Sequence, residues 1–272
     1  MPPNSDATMD AAPKIQLIGA SRDFEARGRR VQALQPVDLS IQPAEFVALV
    51  GPSGCGKSTI LNMVAGLLGP TLGRVTYDGA SVTGLNRRVG YMTQKDTLLP
   101  WRTVEANIRI ALELKCRPTS RTDATAKVAQ MIELVGLKGF EHHYPNELSG
   151  GMRKRVALAR TLIYEPETLL MDEPFAALDA QLRLVMLDQL QFLTRLRKMT
   201  VLFVTHDLGE AITLADRVVV MSARPGRIRT IRNVPIERPL DVFKARFSAA
   251  FGRLHEELWD ELKDEVTKGT DL

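Results

Sequence analysis

The segment from residue 51 to residue 59 constrains this chain more than any other part of the sequence. Its residues are Gly51, Pro52, Ser53, Gly54, Cys55, Gly56, Lys57, Ser58 and Thr59. An apolar stretch typical of a strand, AEFVALV, precedes it, and a stretch typical of a helix, ILNMVAGLL, follows it. A glycine-rich turn between a strand and a helix lets backbone N–H groups close around phosphate oxygens. The sequence therefore predicts a phosphate-binding loop rather than a chance glycine turn.

Two side chains of this loop suit a bound triphosphate. Lys57 can supply a cation to the β and γ phosphates, and the Ser58 hydroxyl is suited to Mg²⁺. We therefore expect a nucleotide with its magnesium ion at this loop.

Several short apolar runs without polar alternation predict strands that are covered on both faces. They lie at residues 46–50, 89–92, 169–171, 201–204 and 218–221. Helical patterns separate most of them, so the chain is α/β with a mostly parallel sheet. Near the start, Asp78 and Gly79 lie within RVTYDGASV and supply the positive φ angles of a tight hairpin. We therefore expect an additional antiparallel portion.

A pair of carboxylates follows the apolar run LLM. Asp172 and Glu173 come directly before Pro174. Ligands of open α/β sheets bind at the carboxyl ends of the strands, so Asp172 can hold Mg²⁺ while Glu173 faces an attacking water. The alternative is a solvated turn, which the nearby phosphate-binding loop disfavours.

Two further polar side chains follow predicted strands and reach the same edge of the sheet. Gln94 follows RVGYMT, and His206 follows VLFVT. Taken alone, each is most simply a satisfied turn residue. Their shared edge makes His206 a candidate contact of the γ phosphate and Gln94 a candidate contact of the metal or the water.

The segment LSGGMRKRVALAR predicts a second helix start that can bind an anion. Ser149 is the predicted N-cap, and Gly150 and Gly151 follow it. An ordinary capped helix is an equal alternative. The basic residues 153–155 most simply form a solvated face.

The remaining segments give the domain organisation. Residues 1–13 are poor in large apolar groups and predict a flexible leader. The helical periodicity of residues 98–166 predicts a helical insertion, in which Gly136 ends one helix. Residues 241–272 form a C-terminal extension. An amphipathic helix from Asp241 to about Glu265 is predicted there from the stripe Phe243, Phe247, Phe251, Leu254, Leu258 and Leu262. It would pack on the domain itself, or it would form a dimer or regulatory contact.

Bulk properties narrow the classes of partner. The chain has 36 Lys and Arg against 32 Asp and Glu, without a basic block of the kind that binds nucleic acid, so no nucleic-acid partner is expected. Cys55 and Cys116 have neither zinc-site nor disulfide spacing, which fits reduced thiols. No apolar run approaches the roughly 18 residues of a spanning helix, and the start does not resemble a secretory signal. We expect an intracellular protein whose membrane role, if any, depends on a partner.

In this order, the motifs resemble those of the ATP-binding cassette (ABC) ATPases, and the match covers residues 15–236. The resemblance identifies residues 51–59 as the Walker A loop, Asp172 and Glu173 as the Walker B pair, and residues 148–152 as the signature. It makes Gln94 the Q-loop glutamine, His206 the switch histidine, and residues 177–179 the D-loop. The ATPase domain would span residues 14–240 and have a P-loop NTPase (RecA-like) core with the helical subdomain at residues 98–166.

Three positions depart from the common family pattern. Phe24 occupies the place of the aromatic residue that stacks on adenine, where tyrosine is commoner. The signature reads LSGGM instead of LSGGQ, and the D-loop reads AALD instead of SALD. The backbone donors and Ser149 are kept, so the resemblance implies a working ATPase with ATP and Mg²⁺ as cofactors.

The resemblance also implies partners. Two copies would face head to tail, with each ATP between the Walker A loop of one and the LSGG of the other, and with Glu173 as general base. The stretches LLPWRTVEANI and MSARPGRI are similar to those of the nitrate, sulfonate and taurine importer ATPases. The expected protein is a peripheral subunit on the cytoplasmic face of the cell membrane. Its partners would be a separate permease and, indirectly, an extracytoplasmic solute-binding protein.

Alternatives to this interpretation remain open. An exporter ATPase shares every catalytic residue, and a soluble ABC ATPase acting on ribosomes or DNA is a third possibility. Trp101 would lie near the groove that receives a permease helix, or it would be an ordinary core residue.

Overall fold

The computed structural model describes residues 12–26, 28–114, 120–176, 178–238 and 240–270. Most of the predicted leader, together with Cys116 and the D-loop residue Ala177, lies outside the described residues.

Ten strands and seven α-helices are described. In chain order the strands are β1 (Ile15–Ala26), β2 (Arg29–Ile41), β3 (Phe46–Val50), β4 (Leu72–Tyr77), β5 (Ala80–Ser81), β6 (Val89–Met92), β7 (Thr168–Asp172), β8 (Thr200–Val204), β9 (Arg217–Met221) and β10 (Ile228–Asn233). The α-helices are α1 (Lys57–Val64), α2 (Val104–Glu113), α3 (Arg121–Leu134), α4 (Gly150–Leu162), α5 (Ala180–Leu196), α6 (Leu208–Leu214) and α7 (Ala249–Thr270).

The first sheet is the predicted antiparallel portion. Its strand order is β2-β1-β4-β5, and β1 pairs antiparallel with both β2 and β4. Asp78 and Gly79 connect β4 to β5 with φ angles of 48° and 76°, which are the left-handed angles that a tight hairpin requires. The hairpin prediction is therefore confirmed.

The second sheet is the mostly parallel one and positions the candidate site. Its order is β10-β9-β3-β8-β7-β6, and only β10 runs antiparallel to its neighbour. All five residues of β3, of β7 and of β8 are buried, because helices or the other sheet cover both faces. The carboxyl ends of β3, β6, β7 and β8 meet at one edge, so the segments that follow them lie together.

The region between β6 and β7 is helical, as predicted, and contains α2, α3 and α4. The apolar stripe of α3, namely Val128, Met131 and Ile132, is buried in the same core as the parallel sheet. Gly136 adopts a φ of 63° just beyond the helix end. It therefore serves as the predicted helix stop.

The C-terminal helix begins later than the stripe predicts, at Ala249 instead of Asp241. The Asp241 carboxylate accepts hydrogen bonds from the backbone N–H groups of Phe243 and Lys244, each at 3.1 Å, which forms a separate turn. Ser248 then caps the start of α7 by accepting a bond from the N–H of Phe251 at 3.2 Å. As a result, Phe243 and Phe247 are 52% and 89% exposed and do not belong to the stripe.

The rest of the predicted stripe faces inward. The buried residues of α7 include Phe251, Leu254, Leu258 and Leu262, and the helix packs on α6 and β9. Within the described ranges, no helix is both long enough and apolar enough to cross a bilayer.

Candidate active site

The phosphate-binding loop connects β3 to α1. Gly56 lies directly before α1 with a φ of 96°, and a Cβ atom there would lie 3.1 Å from the Leu34 side chain on β2. Glycine is therefore favoured by the left-handed angle, and its lack of a side chain also leaves room for Leu34. The backbone N–H groups at the start of α1 can consequently face a ligand.

Lys57 crosses the inside of this loop. Its side chain is buried, and its Nζ donates to the carbonyl oxygens of Gly51 at 2.7 Å and Pro52 at 2.9 Å. It also lies 3.7 Å from the sulfur of Cys55, whose thiol pKa is raised by burial. Because backbone carbonyls are neutral, the ammonium charge is held in place for an anionic ligand.

Asp172 ends β7 beside the loop. It is buried, and its carboxylate accepts a hydrogen bond from the Ser58 hydroxyl. Burial raises the pKa of Asp172, although the Ser58 bond and the charge of Lys57 oppose this shift. Ser58 and Asp172, two of the three predicted metal ligands, are therefore in contact, while the amide of the third, Gln94, lies at Glu173. Ser58 and Asp172 offer the oxygen atoms that Mg²⁺ prefers, and Mg²⁺ commonly takes its other ligands from water and substrate phosphates.

Glu173 brings the predicted catalytic side chains together. Its Oε2 lies 3.5 Å from Nε2 of Gln94 and 3.5 Å from Nδ1 of His206. The residue has a φ of 48°, which is unusual for a non-glycine residue, and its N–H donates to the Val204 carbonyl at 2.9 Å. The backbone is thus fixed to β8 in a conformation that directs the carboxylate to the edge of the sheet.

The segment that carries His206 is held by a network beneath it. Thr205 donates to Glu210 Oε2 at 2.6 Å, and the N–H of Asp207 donates to the Thr205 hydroxyl at 3.0 Å. Burial raises the pKa of Glu210. Arg183 of α5 contacts both Asp207 and Glu210. The His206 side chain, 65% exposed, therefore projects from a rigid support.

Basic residues of α4 hold the segment after β6 in place by hydrogen bonds and an ion pair. The expectation that residues 153–155 form a solvated basic face is therefore wrong. Lys154 is buried and donates to the carbonyl oxygen of Gln94. Arg153 pairs with Asp96 at 3.0 Å, and Arg160 donates to the Asp96 carbonyl at 3.0 Å. Burial lowers the pKa of Lys154. The seven-residue spacing of Arg153 and Arg160, which is about two helical turns, is the sequence feature that could have indicated their common face.

A cavity of about 340 Å³ opens beside these groups. The residues that line it include Phe24, Lys57, Gln94, Glu173 and Arg224. The Arg22 guanidinium lies 5.0 Å from the centre of the Phe24 ring, which steadies the ring by a cation–π contact. Arg224 is a site residue that the motif analysis missed.

The predicted signature residues lie elsewhere. Ser149 is exposed, and its hydroxyl accepts a bond from the N–H of Met152 at 3.2 Å as the N-cap of α4. Neither Ser149 nor Gly150 nor Gly151 is among the described residues that line the cavity. A ligand bound in the cavity would therefore not cover the start of α4, which stays accessible to another molecule.

The fold and the site together define a P-loop nucleotide-binding protein. A buried lysine, a Ser–Asp pair and a glutamate with two polar neighbours meet at the carboxyl edge of a parallel sheet, which is where phosphates bind in this class.

Comparisons with known proteins give the family. The family model described as ABC transporter matches residues 34–176. An uncharacterized ABC transporter ATP-binding protein of Methanocaldococcus jannaschii is 47% identical over 255 residues, covering 94% of this chain and 93% of that protein. The aliphatic sulfonates import ATP-binding protein SsuB of Bacillus subtilis is 43% identical over 234 residues, covering 86% and 90%.

Solved structures agree with this result. The dimeric structure of a bacterial ABC transporter cassette matches with a TM-score of 0.76 and 31% identity, over 82% of this chain and all of that chain. A post-hydrolysis state bound to ADP and Pi matches with the same TM-score and 29% identity. This chain belongs to the ATP-binding proteins of the ABC transporter family. It binds and hydrolyses ATP.

Proposed function

We propose that this protein is the ATPase subunit of an importer and that Glu173 is its general base. The observation that carries the proposal is the convergence of Gln94 and His206 on Glu173 Oε2, each at 3.5 Å, beside the cavity that Lys57 also lines. A carboxylate placed in this way can orient a water and accept its proton, while the two neighbours hold the carboxylate in position.

The remaining site residues would bind different parts of the nucleotide and its metal ion. The loop residues 51–59 and Lys57 receive the phosphates, and Phe24 stacks on the base. When bound, Mg²⁺ would neutralise charge on the β and γ phosphates, held by Ser58, Asp172 and Gln94. His206 reaches the γ phosphate and senses whether it is present.

The open signature helix supports a site shared by two copies. Ser149 is exposed, Gly150 and Gly151 are half-buried, and none of the three is among the described residues that line the cavity of their own chain, so we assign them to the nucleotide of a partner copy. The dimeric form of the related cassette supports the same arrangement. ATP would then hold two copies together, and its hydrolysis would release them.

Import is favoured by the relatives and by one surface residue. SsuB proteins are named for aliphatic sulfonate import, and a Frankia alni protein named for spermidine/putrescine import is 42% identical over 252 residues, which is 52% of its length. Trp101 is 71% exposed, which rules out the core alternative and leaves it available to a permease. We place the subunit on the cytoplasmic face of the membrane, with a sulfonate, nitrate or taurine type of solute delivered by a separate binding protein.

The proposal is tested by identifying what accompanies the protein in its host. Tagged Glu173→Gln protein, purified from gently solubilised membranes with ATP, should retain a multi-span permease, and the permease should be reduced in a Trp101→Ala variant. Mass spectrometry of both preparations gives the result. Recovery of ribosomal proteins or of an exporter alone would contradict the importer assignment while leaving ATP hydrolysis untouched.

A further inference from the structure

Arg224 has no part in the chemistry described above, yet it lines the nucleotide cavity together with Phe24 and Lys57. It lies in the loop between β9 and β10, far from the phosphate-binding loop in sequence. Its side chain is exposed to the cavity and solvent. A second cation therefore faces the space that a nucleotide would fill.

The loop that carries Arg224 is fixed directly against the phosphate-binding loop. The N–H of Gly226 donates to the Ala33 carbonyl at 3.1 Å, and the N–H of Gln35 donates to the Gly226 carbonyl at 2.8 Å. A Cβ atom on Gly226 would lie 1.8 Å from the carbonyl oxygen of Cys55. Since no side chain fits in that gap, the backbone two residues after Arg224 touches the phosphate-binding loop.

The other side of Arg224 is held by the C-terminal helix. Glu265 of α7 is buried, and its Oε2 accepts a bond from the N–H of Ala223 at 2.8 Å. Its Oε1 accepts a bond from Arg229 at 2.9 Å. Ala223, the residue before Arg224, is thus hydrogen-bonded to the Glu265 carboxylate of α7. The positive charge of Arg229 compensates the negative charge of Glu265.

We propose that Arg224 is a nucleotide-binding residue that donates to phosphate oxygens of ATP, and that Glu265 is the positioning residue that holds it there. A guanidinium presents several N–H donors in one plane, which suits phosphate oxygens. The arrangement couples α7 to nucleotide affinity through the Ala223 N–H. The inference rests on the assignment of this cavity as the ATP site.

The test is titration calorimetry of the full chain with a non-hydrolysable ATP analogue. Arg224→Ala should weaken binding about three- to tenfold, the value of one ordinary hydrogen bond, because solvent at this exposed position screens the charge of the guanidinium. Arg224→Lys should recover part of the loss. Arg227→Ala is the matched control. It removes an exposed arginine of the same loop that is not among the described cavity-lining residues, and it should bind normally.

A double-mutant cycle tests the role of Glu265. Glu265→Leu removes the acceptor of the Ala223 N–H bond and should weaken binding. Adding it to Arg224→Ala should cause no further loss beyond about twofold, because both changes act on the same contact between Arg224 and the phosphates. If the two losses multiply, or if Glu265→Leu lowers the melting temperature without changing affinity, the positioning role is refuted. Unchanged binding in Arg224→Ala would refute the ligand contact.

Lys57→Ala separates this inference from the site assignment. If Lys57→Ala abolishes binding while Arg224→Ala binds normally, the cavity is the ATP site and only the Arg224 proposal fails. If Lys57→Ala also binds normally, the site assignment itself fails.

Discussion

Replacing Lys154 with methionine should slow ATP hydrolysis without destabilising the protein. The Lys154 ammonium donates to the carbonyl oxygen of Gln94 and thereby fixes the segment that brings the Gln94 amide to Glu173. Losing a hydrogen bond from a charged group costs about 1.5–3 kcal/mol. If the whole of that were lost in the transition state, kcat/KM would fall by about 10- to 150-fold.

The free energy of unfolding of the Lys154→Met variant should not fall with its activity. Burial lowers the pKa of Lys154, and the attraction of Asp96, Asp172 and Glu173 only partly opposes this. The charged form therefore disfavours the folded state at neutral pH, and the penalty diminishes as the pH rises through the lowered pKa. Methionine fills a similar volume without a charge, so the free energy of unfolding should stay level or increase.

The assay combines steady-state phosphate release with urea unfolding of the same preparations. Arg155→Met is the matched control, because Arg155 lies next on the helix but donates to the carbonyls of Val135 and Gly136 at 3.0 and 2.8 Å. It should leave kcat/KM within about twofold, because neither of these carbonyls belongs to the segment that carries Gln94. The reasoning is refuted if Lys154→Met keeps full activity, or if its activity and stability fall together.

Two further predictions concern the nucleotide site. Phe24→Ala should weaken ATP binding about 5- to 150-fold, the value of one base–aromatic stack, while Phe24→Tyr should bind within about twofold, as fluorescence titration would show. Burial raises the pKa of Asp172, so the folded state disfavours the ionised carboxylate. The neutral carboxyl group therefore stabilises the folded state at acidic pH, and this contribution is lost as the pH rises through the raised pKa. Without nucleotide, Asp172→Asn should therefore gain stability over the wild type from acidic to neutral pH. Urea unfolding across that range would show no such gain if the carboxylate were well solvated.

The sequence predicted the parts of the site that depend on local patterns. Each of two motifs, the phosphate-binding loop and the carboxylate pair after a strand, consists of a few consecutive residues. Lys57, Asp172 and Glu173 could therefore be identified from the sequence alone. The prediction that Gln94 and His206 follow strands ending at one edge of the sheet is confirmed, because both side chains lie at Glu173.

Contacts between distant segments could not be predicted in the same way. Arg224 reaches the cavity only because Gly226 pairs with Ala33 across the fold. Lys154 was predicted to be solvent-exposed because its hydrogen-bond partner is a backbone carbonyl, and a partner of that kind cannot be identified from the sequence. The late start of α7 depends on the competing turn at Asp241. The domain boundaries and the roles of the individual site residues stay predictions.

The central claim, that each ATP is hydrolysed between two copies, is tested most directly by mixing two inactive variants. Lys57→Ala should disable the phosphate-binding loop, and Ser149→Arg should disable the signature helix start that we assign to the nucleotide of the partner. A mixed dimer contains one site with both defects and one intact site, so phosphate release should appear on mixing although neither variant is active alone. If the mixture stays inactive, or if Ser149→Arg alone hydrolyses ATP at the normal rate, the shared site is contradicted.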